Sequence, residues 1–299
     1  MTEMQRLARW LPLFFLLHLT FEVQATPLAP TPSQPIAKLA IVIDDLGYQA
    51  MPSPLAQLPA EISVAILPNT PYATQVHDQA RQQQRDILLH MPMEPSRPAP
   101  LEPNTLMRSM GKATVQATLR QALAQLPDAF AINNHMGSAF TQDAQASGWV
   151  MEVLAQQHLA FLDSRTTPHS RAGQQARAHQ VATLDRHIFL DHERTASFVH
   201  QQLQRAVQRA QRHGYAIAIG HPYPVTLHTL QQWLARQPQH DVTLVKLSAL
   251  YPPHPAASHL TVSSPSASHS DTEQTVTAGT ASTSEPAPIA AGTRVKNNV

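Results

Sequence analysis

The chain has 299 residues, 42% of them hydrophobic, which is enough for one large core or two small ones. Its 21 Lys+Arg nearly cancel its 20 Asp+Glu and no basic stripe stands out, so nucleic acid is not an expected partner and specificity must come from a local site. Cysteine is absent, which excludes disulfides, thiolate metal sites and cysteine nucleophiles.

Residues 1–25 read as an export leader. Arg6 and Arg9 precede the mostly apolar Trp10 to Phe21, and Val23-Gln24-Ala25 forms a small-residue cleavage box. The apolar stretch is shorter than the ~20 residues a membrane span needs, and His18 and Thr20 interrupt it. No stable span is therefore expected, and the protein is expected outside the cytoplasm, in the periplasm. Residues 26–37 form a Pro-rich linker, with four prolines between Thr26 and Pro35. A folded unit follows over residues 38–250. From Tyr251 to the end, Ser, Thr, Ala, Pro and His dominate, so residues 251–299 are expected to be a disordered tail.

Within 38–250 short apolar runs alternate with amphipathic stretches. Leu39 to Ile43, Ile62 to Leu67, Ile87 to Leu89, Ala129 to Ile132, Ala160 to Leu162, Ile188 to Leu190, Tyr215 to Ile219 and Val242 to Leu247 are too short for helices and suit buried strands. Tyr72 to Arg85, Thr114 to Leu126, Ala144 to Gln157, Ala196 to His213 and Val225 to Arg236 suit helices. The fourth places Phe198, Leu203, Ala206, Val207 and Ala210 on one stripe and stops at Gly214. Repeated βα units predict a parallel sheet or barrel covered by helices.

Polar motifs directly follow four of the apolar runs: Asp44-Asp45, His90-Met91-Pro92, Asn133-Asn134-His135-Met136-Gly137-Ser138 and Gly220-His221-Pro222. Asp and His at strand carboxyl ends occupy the rim where α/β barrels gather catalytic groups, and together they offer oxygen and nitrogen ligands to a divalent metal. Histidine is frequent, at 17 residues, so position rather than identity must select ligands; His77, His158, His200 and His213 lie in or beside polar helical stretches and are read as solvated. One carboxylate of the Asp pair can bind a metal while its neighbour takes a proton from water. Pro92 and Pro95 should end the strand at once, leaving His90 in a loop, with Glu94 a possible further oxygen. Asn and Gly tolerate positive φ, so the hexapeptide is read as a sharp turn that presents His135. Asn133, Asn134 and Ser138 are candidates to orient a ligand or contact substrate. His221 is placed to act as a general acid, and either Asp163 or Asp191 could hold His221 or His135 in its tautomer. No phosphate-binding glycine loop or Gly-x-Ser-x-Gly elbow occurs, which argues against nucleotide and serine-hydrolase chemistry.

With these motifs in order the chain resembles the divergent polysaccharide deacetylases of the second type, relatives of the NodB-like carbohydrate esterases. The matching segments are Ala40 to Gly47, Leu88 to Pro95, Ile132 to Ser138, Phe161 to Ser164, Phe189 to Asp191 and Ala218 to Pro222. The resemblance implies an irregular β/α barrel of about seven strands, a zinc-type metal and a polysaccharide substrate. It implies Asp44 as base, Asp45 and His90 as ligands, and His221 as general acid. Where the esterases carry His-x-x-x-His, this sequence has Glu94 four residues after His90, and the missing nitrogen is assigned to His135. The expected activity is removal of acetyl groups from a glycan. The alternatives are a catalytically degenerate glycan- or envelope-binding protein on the same scaffold, and a glycosidase using Asp44 with Asp163 or Asp191 and no metal.

Overall fold

The computed structural model describes residues 36–236 and 242–252. The expected leader, nearly all of the linker and the tail beyond Pro252 lie outside the described residues.

The apolar runs form strands buried on both faces. In β1 (Ala37–Leu46) every residue from Leu39 to Ile43 is fully buried, as expected of a parallel sheet sandwiched between layers. Eight further strands follow: β2 (Ser63–Ile66), β3 (Ile87–Met93), β4 (Ala131–Met136), β5 (Ala160–Asp163), β6 (Thr183–Asp185), β7 (Ile188–Phe189), β8 (Tyr215–Gly220) and β9 (Val242–Leu244). They alternate with α1 (Ser53–Ala56), α2 (Ala73–Gln82), α3 (Lys112–Leu123), α4 (Ala144–Gln156), α5 (Ala172–Ala178), α6 (Ala196–His213) and α7 (Pro224–Leu234). The sheet runs β6-β5-β4-β3-β2-β1-β8-β7, with β9 beside the start of β1, and every pairing is parallel. Only Arg186 and His187 separate β6 from β7. The Arg186 N–H donates to Asp163 on β5 and the His187 N–H to Ile217 on β8, so one short segment bridges the two ends of the curled sheet.

Side chains alternate between two cores. Leu39, Ile41, Ile43, Val64, Ile66, Leu89, Ile132 and Phe161 face the helices, while Ala40, Val42, Ala65, Leu88, Ala131, Leu162, Ile217 and Ile219 fill the interior. The far end of the interior is closed by Leu247, in a 3-10 turn over Leu247–Leu250, and by Tyr251. Tyr251 opens the compositional tail, yet its hydroxyl donates to the Phe161 carbonyl at 2.9 Å and its ring meets Phe130 edge-on.

The sheet has nine strands against the about seven that the resemblance implied: each of the eight apolar runs falls on a strand, and β6, three residues long and without an apolar run, is added. Strand β3 continues through Pro92, contrary to the expected stop at the prolines. Pairing with β2 ends at Leu89, and the residues whose amides face β4 are Ile87, Leu89, Met91 and Met93, so the N–H that Pro92 lacks is not needed by a ladder. His90 thus sits inside a strand rather than in a loop. Helix α6 is capped at its start by Thr195, whose side chain accepts from the Phe198 N–H, and at its end by Gly214 with φ +83°. Its buried stripe carries Val199 in place of the expected Phe198. His77 is buried rather than solvated, with Nε2 3.0 Å from Asp128. Among the described residues no helix is long and apolar enough to cross a membrane.

Candidate metal centre and its flanking groups

The site is the polar continuation of the interior side-chain rows. Ala40 and Val42 face inward and Asp44 is next in phase; Leu88 leads to His90, Ala131 to Asn133 and His135, and Ile217 and Ile219 to His221. Asp45 is out of phase. It comes inward because β1 bulges between Ile43 and Leu46, with Asp45 at φ +58°. Gly47 follows at φ +121°, where an added Cβ would collide with the Thr70 hydroxyl. The sharp turn after His135 falls on Met136 (φ +53°) and Gly137 (φ +84°), not on the two asparagines, which lie in regular β4.

Asp45, His90 and His135 converge. Asp45 Oδ1 lies 2.8 Å from His135 Nδ1 and 3.1 Å from His90 Nε2, and the two ring nitrogens are 3.2 Å apart. Donors held tetrahedrally about 2.0–2.1 Å from a zinc-sized ion are roughly 3.3 Å apart, so one oxygen and two nitrogens are already gathered at the spacing a divalent cation requires. Among the described residues these three form the group able to hold a metal ion.

Asn133 organises this cluster. It is fully buried, and its Nδ2 donates to both oxygens of Asp44, at 2.9 and 3.0 Å. Its Oδ1 faces His90 Nδ1 at 2.9 Å. A carboxylate only accepts, so the amide orientation is fixed; Asn133 then holds a proton on His90 Nδ1 and leaves Nε2 as the ring atom that faces the cluster. His221 is held similarly. Its Nδ1 is 2.9 Å from Asp191 Oδ1, while Asp191 Oδ2 accepts from the His221 backbone N–H and the Thr226 hydroxyl. The free edge of His221, Nε2, stands 3.6 Å from Asp45 Oδ2.

The charges are balanced by protons. Burial raises the Asp44 carboxyl above its ordinary value, against the opposing pull of His90, His221 and Asn133. Burial acts the same way on Asp45, but hydrogen bonds from His135 and His90 outweigh it and hold that carboxyl well below the usual range. Burial lowers His90, yet the neighbouring Asp44 charge and the Asp45 hydrogen bond lift it to about 9. His221 is raised as well, since its Asp191 partner outweighs desolvation. Adjacent carboxyls pushed in opposite directions suit different tasks, one as ligand and one as proton acceptor. A cation entering the cluster displaces the His90 Nε2 proton, so affinity for it rises with pH.

Other expected site residues serve the surrounding loops. Asp163 accepts from the Ser170 hydroxyl (2.6 Å) and the Arg165 N–H (2.8 Å), so of the two candidate aspartates only Asp191 contacts a site histidine. Asn134 lines the cleft beside the triad, where its side chain accepts from the Ser164 N–H and donates to the Met136 carbonyl. Ser138 accepts from the Ser96 N–H at the rim. Glu94 is paired with Arg108 and stays outside the cluster. Arg165, Arg186 and Phe189 line the same cleft, of about 420 Å³, as the triad, Asp44 and His221. None of the three was singled out from sequence. Arg186 could have been found had the Thr183–Asp185 strand been recognised, because it occupies the rim position just after it.

A family model described as divergent polysaccharide deacetylase matches residues 41–251. An uncharacterized protein of Haemophilus influenzae is 44% identical over 232 residues, covering 77% of this chain and 82% of its own. The uncharacterized protein YibQ of Escherichia coli is 40% identical over 214 residues, covering 71% of this chain and 67% of its own. The crystal structure of an uncharacterized protein, ATU2773 of Agrobacterium tumefaciens, shares the fold at a TM-score of 0.67 and 24% identity, covering 74% of this chain and 92% of that one. By the span of the family match and the identity to these relatives, the chain belongs to the divergent polysaccharide deacetylase family.

Proposed function

We propose that the protein is an exported hydrolase that removes acetyl groups from a polysaccharide or envelope glycan, with zinc held by Asp45, His90 and His135. The observation that carries this reading is the pair of proton-handling groups beside the triad. Asp44 Oδ2 lies 3.7 Å from His90 Nε2, and His221 Nε2 lies 3.6 Å from Asp45 Oδ2. A bound divalent cation supplies Lewis-acid polarisation of the acetyl carbonyl and a lowered pKa for water.

Asp44 is the base. Its buried carboxyl, raised in pKa, accepts the proton of the attacking water, and the Asn133 amide fixes the direction of its lone pairs. His221 is the acid. Asp191 holds its Nδ1 proton and raises its basicity, so Nε2 carries a proton to the departing amine or alcohol as the acyl C–N or C–O bond breaks. The export leader expected over residues 1–25 supports a periplasmic place of action, where an envelope glycan is within reach.

The test is acetate release from acetylated oligosaccharides by zinc-loaded protein, beside Asp44→Asn. The variant should keep its zinc and lose turnover by about 10²–10⁴-fold. Zinc-loaded wild type that binds a glycan but releases no acetate from N- or O-acetylated chains would contradict the hydrolase and leave a glycan-binding protein on this scaffold.

A further inference from the structure

The two arginines of the cleft are engaged in different ways. Arg186 serves the fold: its Nε and Nη2 donate to the carbonyls of Ser164 (2.6 Å) and Arg165 (2.9 Å), and its guanidinium lies 4.9 Å over the Phe189 ring. For Arg165 the backbone is what the neighbours hold. Its φ is +50°, in the left-handed region that disfavours every side chain relative to glycine. Asp163 accepts its N–H at 2.8 Å while Arg186 donates to its carbonyl, so two side chains from β5 and the β6–β7 segment clamp this conformation.

The Arg165 side chain is only lightly engaged. About a third of it is exposed (34%), the nearest Asp163 oxygen is 4.0 Å from Nη1, beyond hydrogen bonding, and Nη2 reaches the Pro168 carbonyl at 3.4 Å. Glycine would adopt this backbone with less strain, yet the position carries a long cationic side chain on the wall of the cleft. Past Met136 and Thr166, which line both spaces, the cleft continues into a groove of about 590 Å³ between Pro95–Ala99 and Thr166–Pro168 that carries the exposed Arg97. Arg165 on the cleft wall and Arg97 in the groove are thus two cationic side chains set along the path that leads away from the triad.

We infer that Arg165 is a specificity-determining residue that pairs with an anionic group, carboxylate or phosphate, on the glycan, and that the substrate is an acidic chain rather than a neutral one. The inference rests on the deacetylase reading above. A planar guanidinium takes either anion through two parallel N–H donors, and the groove beyond Thr166 gives room for the next sugar of the chain.

The test uses zinc-loaded full-length protein and three probes: an O-acetylated oligoglucuronate, the same chain with its carboxyls reduced to alcohols, and that reduced chain carrying 6-phosphates. Binding is measured by calorimetry for wild type, Arg165→Gln and Arg165→Gly, with zinc content and acetate release followed on the same samples. Wild type should bind one anionic chain on the order of tenfold tighter than the neutral one, and whichever anion gains more identifies the source of the charge. Both variants should erase that preference at unchanged zinc content, and Arg165→Gly should unfold no earlier than wild type. Equal binding of acidic and neutral chains by wild type, or a preference that survives in both variants, overturns the inference. Absent acetate release with the preference intact would instead count against the deacetylase reading alone.

Discussion

Asn133→Ala removes the group through which Asp44 and His90 are organised. One buried amide supplies two contacts to the Asp44 carboxylate (2.9 and 3.0 Å) and accepts from His90 Nδ1 (2.9 Å). A hydrogen bond to a charged group contributes ~1.5–3 kcal/mol, and an orphaned buried donor costs ~1–3 kcal/mol. The metal-free variant should therefore lose about 3–5 kcal/mol of stability, read by denaturant unfolding in chelator. The metal-loaded comparison is more specific. Without the acceptor on Nδ1, the His90 tautomer is no longer fixed, and zinc affinity should drop ~10–100-fold in a competition titration. Asn133→Asp keeps the acceptor for His90 but sets a second carboxylate against Asp44. Two like charges at that distance do not both ionise, so the pH at which zinc binds should shift. Wild-type zinc affinity in Asn133→Ala would refute the argument that this amide orients the ligand.

Two further predictions concern the frame around the site. Burial, reinforced by Arg209, His213 and Arg186, lowers His187 from 6.5 to about 4, and its Nδ1 accepts the Ile217 N–H. The unfolded chain thus binds a proton between pH ~6.5 and ~4 that the folded chain refuses. The stabilisation is complete above the unfolded value and is lost as pH falls through that window, by about 1–2 kcal/mol after solvent screening of a partly exposed ring. His187→Asn should flatten this part of the stability profile, and an unchanged acid limb would contradict it. Tyr251→Phe should cost about 1 kcal/mol through the lost bond to Phe161; truncation after Leu250 should cost more and truncation after Pro252 almost nothing, all read from thermal midpoints.

The strands were legible where burial on both faces writes a continuous apolar run, as in Leu39 to Ile43 and Tyr215 to Ile219. The rim positions were legible because a polar residue terminates each run. What was hidden depends on partners far away in the chain. The bond from Asn133 to Asp44 spans 89 residues and that from Asn133 to His90 spans 43, and no local pattern carries either. Strand β6, half-exposed and three residues long, has no apolar run to mark it. The bulge that turns Asp45 inward was hidden for another reason. Its positive φ falls on an aspartate, whereas the visible turn residue, Gly47, lies two positions later. Asp163 and Asp191 looked equivalent in sequence, each ending an apolar pair. Only the return of β8 beside β7 brings Asp191, and not Asp163, to His221.

The central claim is that Asp45, His90 and His135 together form the metal site. Zinc content per chain, measured by elemental analysis of wild type and His135→Ala purified identically without chelator, tests it most directly. We expect close to one zinc per wild-type chain and a sharp loss in the variant, with unfolding in chelator little changed, since a half-buried rim histidine supports little of the core. Equal zinc content in the two proteins, or none in wild type after zinc is supplied, would contradict the assignment.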